Sequence, residues 1–410
     1  MAFLSICALP RAIARVVLPQ RPTAAAASAF QLPSQRHGRV HAAPRSTPAP
    51  TSRLFASEQI PPARVLFLGT PPVAAASLRT LHASIPSAPV PFEIVGVVTQ
   101  PPRPAGRKRK LAPSAVHAAA EELGIPVLHP EKAGDPEFLS RLLEEGGEGL
   151  GPLDLAITAA YGNYLPKKFL ALPVRGTLNV HPSLLPRWRG ASPVQRSLEA
   201  GDDTLGVSVL FTVQKMDAGP VVAQVSVPDD GAAGAGETLG SLFALGTDAL
   251  LGALPDVLSG KITMENAAPQ DEGEITQAAM ISKREGVLRP HRQSASDMHC
   301  RVRAFDMWPG CTLELSVGGG DPVSIKVGRT RTVGSHDGVL DALDLDGQAV
   351  VLPNMKKRGL MLMCGDGSVL EILDVQPPTK KMMDAKSFVN GLKGAEVRWI
   401  ETPEEAEEEQ

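Results

Sequence analysis

Three features are missing from this sequence, and each absence excludes a class of protein. The four cysteines, Cys7, Cys300, Cys311 and Cys364, form no C-x-x-C pair, which argues against a zinc site or a thiol redox motif. No uninterrupted apolar run reaches the ~20 residues that cross a bilayer, so we expect no membrane association. No G-x-G-x-x-G follows the first predicted strand, residues 64–69, so a dinucleotide is not indicated.

Lysine and acidic residues are also missing from the first 57 residues, which contain seven arginines. This stretch is rich in Ala, Ser, Pro and Thr, a composition typical of an organelle transit peptide. Residues 53–57 resemble a mitochondrial processing site with cleavage after Phe55, and a plastid address is nearly as compatible. A disordered basic tail is the alternative. We expect import into the mitochondrial matrix, or else into the chloroplast stroma.

The charge of the remaining chain does not indicate a nucleic-acid partner. Without the seven N-terminal arginines, 34 of the 41 basic residues remain, against 44 acidic ones. Residues 401–410 contain six glutamates and are typical of a solvated acidic tail. A nucleic-acid interface therefore has to be found in local basic patches.

Short apolar runs alternate with helical patterns over residues 62–262. Strands are predicted at residues 64–69, 94–98, 153–158 and 178–181, and helices at 114–123 and after the capping residue Asp135. This alternation favours a Rossmann-like α/β domain with a mainly parallel sheet. Two β-like runs, at 206–213 and 220–227, and an amphipathic helix at 238–258 complete this part.

Beyond a linker assigned to residues 263–282, the pattern changes to short strands. A helix is predicted at 294–305, where Ser294 and Asp297 have capping-box spacing. Strands are predicted at residues 312–317, 323–327, 339–345, 350–352 and 369–375. Their spacing predicts a small OB-like β-barrel domain over residues 283–400.

Asn179 and His181 lie at the end of a predicted strand. Because a strand has a side-chain period of two, both should lie on one face, where an amide and an imidazole can polarise a carbonyl and manage a proton. Asp217 is a third candidate, since a carboxylate can orient an imidazole. With no adjacent Ser or Cys nucleophile, the trio suits direct transfer of an acyl group to an amine. A structural His–Asp pair is the alternative.

Basic residues form three clusters. Five of the eight residues at 103–110 are basic, and they follow a predicted strand, at the sheet edge where such folds place ligands. A solvated charged loop and a phosphate clamp remain open for this segment. Two smaller clusters in the predicted barrel would fit nucleic acid running across both domains. The candidates are Arg103, Arg107, Lys108, Arg109, Lys110, Lys356, Lys357, Arg358, Lys380 and Lys381.

Segments between residues 64 and 392 resemble, in order, the methionyl-tRNA formyltransferase family of folate-dependent formyltransferases. They are residues 69–71, 99–111, 160–166, 179–195, 215–219, 303–305, 308–309, 375–377 and 380–381. The His181 loop marks only the wider formyltransferase group. The basic loop and the C-terminal part make the resemblance specific to the tRNA enzymes.

The resemblance implies transfer of a formyl group from 10-formyltetrahydrofolate to the α-amino group of initiator methionyl-tRNA. It implies that Asn179, His181 and Asp217 are catalytic, and that Arg107 enters the acceptor stem. The folate-binding loop would comprise Ser183, Leu184, Leu185 and Pro186. A free α-amine has a pKa of about 7.7–8.0, so the enzyme has to position it more than activate it. We expect a monomer that needs no metal ion.

The sequence also departs from the family. Pro182 stands where bacterial members usually carry Gly, and Pro72 and Val73 stand where they often have Asp-Phe. Residues 281–285 keep the linker motif, but the following acidic–Trp pattern is missing at 287–290, which affects the expected path of the linker. A formyltransferase acting on a nucleotide sugar or a purine precursor would share the trio without needing the basic loop. A non-catalytic RNA-binding protein on this scaffold would be expected to lack part of the trio.

Overall fold

The computed structural model describes residues 61–106, 109–144, 149–334, 350–352 and 360–400. The predicted transit peptide, the acidic tail and the strand predicted at 339–345 lie outside the described residues. So do five of the predicted tRNA-binding residues: Arg107, Lys108, Lys356, Lys357 and Arg358.

A seven-stranded sheet forms the centre of the N-terminal part. The strands here are β1 (Ala63–Gly69), β2 (Phe92–Val98), β3 (Arg103–Ala105), β4 (Lys110–Ala112), β5 (Val127–Leu128), β6 (Leu155–Ala159), β7 (Thr177–His181), β8 (Arg189–Gly190), β9 (Thr204–Phe211) and β10 (Val221–Pro228). The sheet order is β10-β9-β7-β6-β1-β2-β5. Strands β5, β2, β1, β6 and β7 are parallel, whereas β9 and β10 pair antiparallel. The predicted mainly parallel sheet is confirmed.

Helices pack on this sheet. They are α1 (Pro72–Ser84), α2 (Ala115–Glu122), α3 (Pro136–Leu143), α4 (Lys167–Leu170), α5 (Pro193–Glu199) and α6 (Ala235–Leu258). Ser114 and Asp135 cap α2 and α3 by accepting backbone N–H groups, a role that the sequence predicted for Asp135. Helix α1 was not predicted from the sequence. Much of its buried face consists of small residues such as Ala74 and Ala75, which give a weak apolar signal.

Helix α6 covers one face of the sheet. Among the described residues it is the one helix long and apolar enough to span a membrane. A Cβ on Gly246 would lie 2.5 Å from the Val207 side chain and 2.6 Å from that of Val180, so the helix and the sheet meet where only glycine fits. Leu242, Phe243 and Leu250 are buried in the same core, and the apolar face of α6 belongs to that core.

The C-terminal part is rich in β-structure, as predicted. After β11 (Gln277–Ala278) come α7 (Ala295–Ala304), β12 (Cys311–Val317), β13 (Val323–Val327), β14 (Thr330–Val333), β15 (Val350–Leu352), β16 (Leu360–Met363), β17 (Val369–Ile372), β18 (Asp374–Gln376), β19 (Met383–Asp384), α8 (Ala385–Gly391) and β20 (Val397–Trp399). Two sheets form, in the orders β19-β18-β13-β12-β20 and β14-β17-β16-β15. The strand predicted at 369–375 is two strands, β17 and β18, one in each sheet. The break is at Leu373, whose N–H donates to the Arg329 carbonyl.

Polar contacts join the two parts of the chain. Arg196 of α5 contacts Glu285 at 2.5 Å, in the turn that precedes α7. Arg301 of α7 contacts Glu199 of α5 at 2.8 Å. The four side chains are at most 27% exposed, so these contacts are partly shielded from solvent.

Candidate active site

Strand β7 brings Asn179 to the carboxyl edge of the parallel strands. It pairs in register with Thr158 of β6, whose Oγ1 donates to Asn179 Oδ1 at 2.8 Å. This contact uses the amide oxygen, and no described residue accepts a hydrogen bond from Asn179 Nδ2. The amide N–H groups therefore remain as donors for a substrate oxygen.

His181 ends β7 and is buried, with 5% of its surface exposed. Its Nε2 lies 3.0 Å from the carbonyl oxygen of Trp188. Because a carbonyl can only accept, Nε2 carries a hydrogen and Nδ1 is the nitrogen left for chemistry. Nδ1 lies 3.7 Å from Asp217 Oδ1, which is ion-pair range but longer than a hydrogen bond.

Asp217 lies in the turn between β9 and β10, with a left-handed backbone at φ 48°. Its Oδ2 accepts the Gly190 N–H at 3.0 Å, while Oδ1 faces His181. Gly190 itself has φ 132°, and a Cβ there would lie 2.6 Å from the Ala278 carbonyl oxygen. The structure thus brings Asp217 close to His181, which lies two residues after Asn179 on β7.

The segment Ser183–Pro186, predicted to bind folate, is pinned to β9 and β10. Ser208 Oγ donates to the Ser183 carbonyl at 2.6 Å and accepts the Leu185 N–H at 3.1 Å. Gln224 Nε2 donates to the Leu185 carbonyl at 2.7 Å. These contacts hold the backbone of the loop in a fixed shape, while Leu184 and Pro186 remain partly exposed.

A cavity of about 310 Å³ borders the same loop. Ser183, Leu184, Trp188 and Asp202 contribute to its wall, but none of the three predicted catalytic residues does. The cavity therefore borders the loop and not the three predicted catalytic residues.

The basic segment after β2 is a β-hairpin made of β3 and β4, rather than an irregular loop. Arg103, Arg109 and Lys110 are exposed on it. At its base, Thr99 Oγ1 lies 2.6 Å from Ser114 Oγ, which joins the hairpin to the cap of α2. The hairpin thus projects from the carboxyl end of β2, on the edge of the sheet that carries Asn179 and His181.

Lys380 and Lys381 are exposed in the turn between β18 and β19. Gln376 Nε2 donates to the Lys380 carbonyl at 2.8 Å and orders this turn. No carboxylate of the described residues forms an ion pair with either lysine. The two ammonium groups are therefore available to an anionic partner.

Sequence reasoning missed the supporting residues of the site. Thr276 lies in the segment assigned to the linker; its Oγ1 accepts the Trp188 N–H at 2.8 Å and its carbonyl accepts the Arg189 N–H at 3.0 Å. Gln270, also in the linker, contacts the Asp217 turn. No motif marks these two residues. Thr158 could have been found as the polar end of a buried predicted strand.

The described residues contain no group of three or more His, Cys, Asp or Glu side chains that could hold a metal ion.

The mainly parallel sheet followed by a β-rich part belongs to the formyltransferase class of protein. The family described as formyl transferase matches residues 63–243, and the formyl transferase C-terminal domain matches residues 280–393. The chain is 38% identical to the methionyl-tRNA formyltransferase of Herpetosiphon aurantiacus over 81% of this chain and 99% of that protein. It is 37% identical to that of Methylococcus capsulatus over 80% and 96%. The chain belongs to the methionyl-tRNA formyltransferase family of enzymes.

Solved structures agree on the fold. The sugar 3N-formyl transferase WlaRD, crystallised with dTDP and 5-N-formyl-THF, matches with a TM-score of 0.52 and 12% identity, over 78% of this chain and 99% of that one. A variant of HypX from Aquifex aeolicus matches with a TM-score of 0.51 and 17% identity, over 82% and 48%. At these identities the likeness concerns the fold alone.

Proposed function

We propose that this enzyme transfers the formyl group of 10-formyltetrahydrofolate to the α-amino group of initiator methionyl-tRNA inside an organelle. The observation that carries the proposal is the pairing of His181 Nδ1 with Asp217 Oδ1 at 3.7 Å, beside the donor groups of Asn179. The relatives named above, which match nearly their full length, support the choice of acceptor.

The trio supports direct transfer without a covalent enzyme intermediate. The amine nitrogen attacks the formyl carbon, and the carbonyl oxygen becomes an oxyanion. Asn179 Nδ2 and a protonated His181 Nδ1 donate hydrogen bonds to that oxyanion, which is the type of stabilisation worth most in acyl transfer. Asp217 accepts the proton that the amine loses and passes it to N10 of the folate as the bond between N10 and the formyl carbon breaks, which returns Asp217 to the carboxylate.

The rigid loop at residues 183–186 is proposed to hold the donor. Its backbone is fixed by Ser208 and Gln224, so the donor would bind a surface formed in advance, which limits the ordering cost of binding. His181 directly precedes this loop, and the loop therefore begins at the reacting groups.

The exposed cations are proposed to hold the tRNA. The hairpin carries Arg103, Arg109 and Lys110 on the sheet edge of the trio, and Lys380 and Lys381 add charge on the β-rich part. Contacts from cations to phosphates provide affinity and register rather than sequence discrimination. In the proposed complex, these contacts place the aminoacyl end at the trio.

The test of this function is a comparison of acceptors with purified protein comprising residues 58–410. Methionyl-tRNA, a nucleotide amino sugar and an amine precursor of purines are each supplied with 10-formyltetrahydrofolate. We expect formylation of methionyl-tRNA alone. Formylation of only one of the small amines would show that the acceptor is assigned wrongly.

Residues 1–57 are proposed to direct the protein to mitochondria, with chloroplasts as the alternative destination. Their support is compositional: seven arginines and no acidic residue. A fluorescent protein fused behind residues 1–57 should enter the organelle and lose the leader. Diffuse fluorescence of an uncleaved fusion would argue against an organellar role.

A further inference from the structure

Gln270 of the linker lies at the centre of a closed set of hydrogen bonds around Asp217. Its Nε2 donates to the carbonyl oxygens of Asp217 at 2.8 Å and Gly219 at 2.7 Å. Its Oε1 accepts from Arg189 Nε at 2.9 Å and Nη2 at 2.7 Å. The next residue, Gly190, donates to Asp217 Oδ2. The set thus holds both the main chain and the carboxylate of Asp217.

The orientation of the Gln270 amide is fixed by these four contacts. Both hydrogens on Nε2 meet carbonyl oxygens, which only accept, and Oε1 meets guanidinium nitrogens, which only donate. An inverted amide would place oxygen against oxygen and nitrogen against nitrogen. The side chain is therefore a rigid bridge between Arg189 and the turn that contains Asp217.

The buried guanidinium of Arg189 depends on Gln270 as its hydrogen-bond partner. It is buried, with 3% of its surface exposed, and no carboxylate of the described residues pairs with it. Within the described part of the chain, its Nη1 has no partner, and Gln270 is the only side chain that accepts a hydrogen bond from its guanidinium. Since buried charges need partners, loss of Gln270 would leave the guanidinium of Arg189 without this partner, one residue before the Gly190 N–H that Asp217 accepts.

The turn itself needs support. Asp217 has φ 48°, a conformation that L residues adopt at a cost. Gln270 donates to the carbonyl of this residue and to that of Gly219, two positions on. If both donations were lost, the turn could relax and move the carboxylate away from His181.

We propose that Gln270 is a positioning residue of this enzyme, which fixes Asp217 against His181 and makes the linker part of the catalytic apparatus. The inference rests on the proposed role of Asp217 in formyl transfer.

The variant Gln270→Glu tests whether Gln270 positions Asp217 or only attaches the linker to the rest of the protein. A carboxylate keeps the contact with Arg189 and adds an ion pair, but it cannot donate to the carbonyls of Asp217 and Gly219. The new carboxylate oxygen faces the carbonyl oxygens of Asp217 and Gly219, so the melting temperature should fall in either case. If Gln270 only fastens the linker, the folded variant should be as active as the wild type. If Gln270 positions Asp217, kcat should fall about 10–100-fold, the scale of a small misplacement, while KM for the folate donor stays constant.

The matched control is Glu272→Gln. It removes the other contact between the linker and the same turn, the exposed ion pair of Glu272 with Lys215 at 3.3 Å. Exposed pairs of this kind contribute little, so kcat and the melting temperature should match the wild type.

The experiment measures kcat, KM for both substrates and melting temperature of the full chain, for the single variants and for Asp217→Asn combined with Gln270→Glu. Residues that act through one another are not additive, so the double variant should be about as slow as Asp217→Asn alone. Wild-type kcat in Gln270→Glu, or an additive loss in the double variant, would overturn the positioning role.

A readout independent of activity separates this inference from the proposed function. The ring signals of His181, assigned by their loss in His181→Asn, are followed by NMR. They should shift in Gln270→Glu in the same direction as in Asp217→Asn, and stay in place in Glu272→Gln. Unchanged ring signals in Gln270→Glu overturn the inference even if the wild type formylates tRNA. A wild type that fails to formylate tRNA overturns the function, and the ring signals still decide the role of Gln270.

Discussion

Arg303 of α7 holds Asp229, which follows β10, through two parallel contacts. Nη1 donates to Oδ2 at 2.8 Å and Nη2 to Oδ1 at 2.6 Å, while Nε donates to the Ala233 carbonyl at 2.9 Å. The side chains of Arg303 and Asp229 are 6% and 12% exposed. Among the ion pairs between the two parts, this one is the most deeply buried of those described, and it fixes the β-rich part against the end of the sheet.

Arg303→Ala should therefore destabilise the whole protein. It leaves Asp229 as an uncompensated buried charge, which costs about 3–5 kcal/mol in comparable cases. Urea unfolding measures the change. The control is Arg329→Ala, which removes an ion pair with Asp374 whose arginine is 78% exposed and should cost no more than about 1 kcal/mol. Equal losses in the two variants would mean that the buried pair does not join the two parts.

The second prediction concerns how the contribution of Glu285 to protein stability depends on pH. Burial raises the pKa of Glu285, but hydrogen bonds from Arg196 and from the Ser282 backbone outweigh burial and lower the pKa below its ordinary value. A lowered carboxyl pKa adds stability above the unfolded-state pKa, and this stability is lost as the pH falls through the folded-state pKa.

Glu285→Gln should therefore be less stable than the wild type at pH 7, and the difference should shrink below a pH of about 4. Thermal unfolding of both proteins from pH 7 to pH 3 measures this difference in stability. Glu396→Gln is the control, because its contact with Arg398 is exposed and should contribute little. A difference that stays constant down to pH 3 would contradict the assignment to the ionised carboxylate.

The basic hairpin gives the third prediction. Replacing Arg103 and Lys110 with glutamine should raise KM for methionyl-tRNA and leave KM for the folate donor unchanged, because the proposed role of the hairpin is to contact phosphates only. The salt slope of log K for tRNA should fall by about 0.7–0.9 for each phosphate contact that is lost.

Lys261→Gln is the matched control for the hairpin. Lys261 is exposed and paired with Asp256, and its neighbour Gly260 lies against Arg175 just before β7, at the opposite edge of the sheet. Neutralising it should leave KM and the salt slope for tRNA as they are. If Lys261→Gln weakens tRNA binding as much as the hairpin variant does, then Arg103 and Lys110 contribute only through the overall charge of the protein.

The class of fold could be predicted from the sequence because its signals are local. Apolar runs marked the buried strands, and Ser114, Asp135 and Ser294 marked helix starts through their own side chains. Asn179 and His181 could be placed together because both lie on one strand. Asp217 was a candidate because a carboxylate can orient an imidazole, but no local pattern reveals which turn meets which strand, and the family resemblance supplied that link.

The linker is where sequence reasoning was incomplete. A change in composition suggested a spacer, but Ala268 exchanges backbone hydrogen bonds with Val221, and Gln270 and Thr276 support the site. These are contacts between residues far apart in sequence, made by the backbone at Ala268 and by the side chains of Gln270 and Thr276, which follow no periodic pattern. A protein that ends near Gly260 would therefore lack Gln270 and Thr276, which support the candidate site.

Asp217→Asn tests the central claim most directly. The amide can still accept the Gly190 N–H but cannot take a proton from the amine, so the fold and folate binding should be kept. The measurement is kcat/KM for methionyl-tRNA with 10-formyltetrahydrofolate, for the wild type and for Asp217→Asn, after unfolding curves show both to be folded. We expect an active wild type and a variant slower by about 10²–10⁴-fold, the usual contribution of a positioned acid–base group. A variant within a few-fold of an active wild type would contradict it.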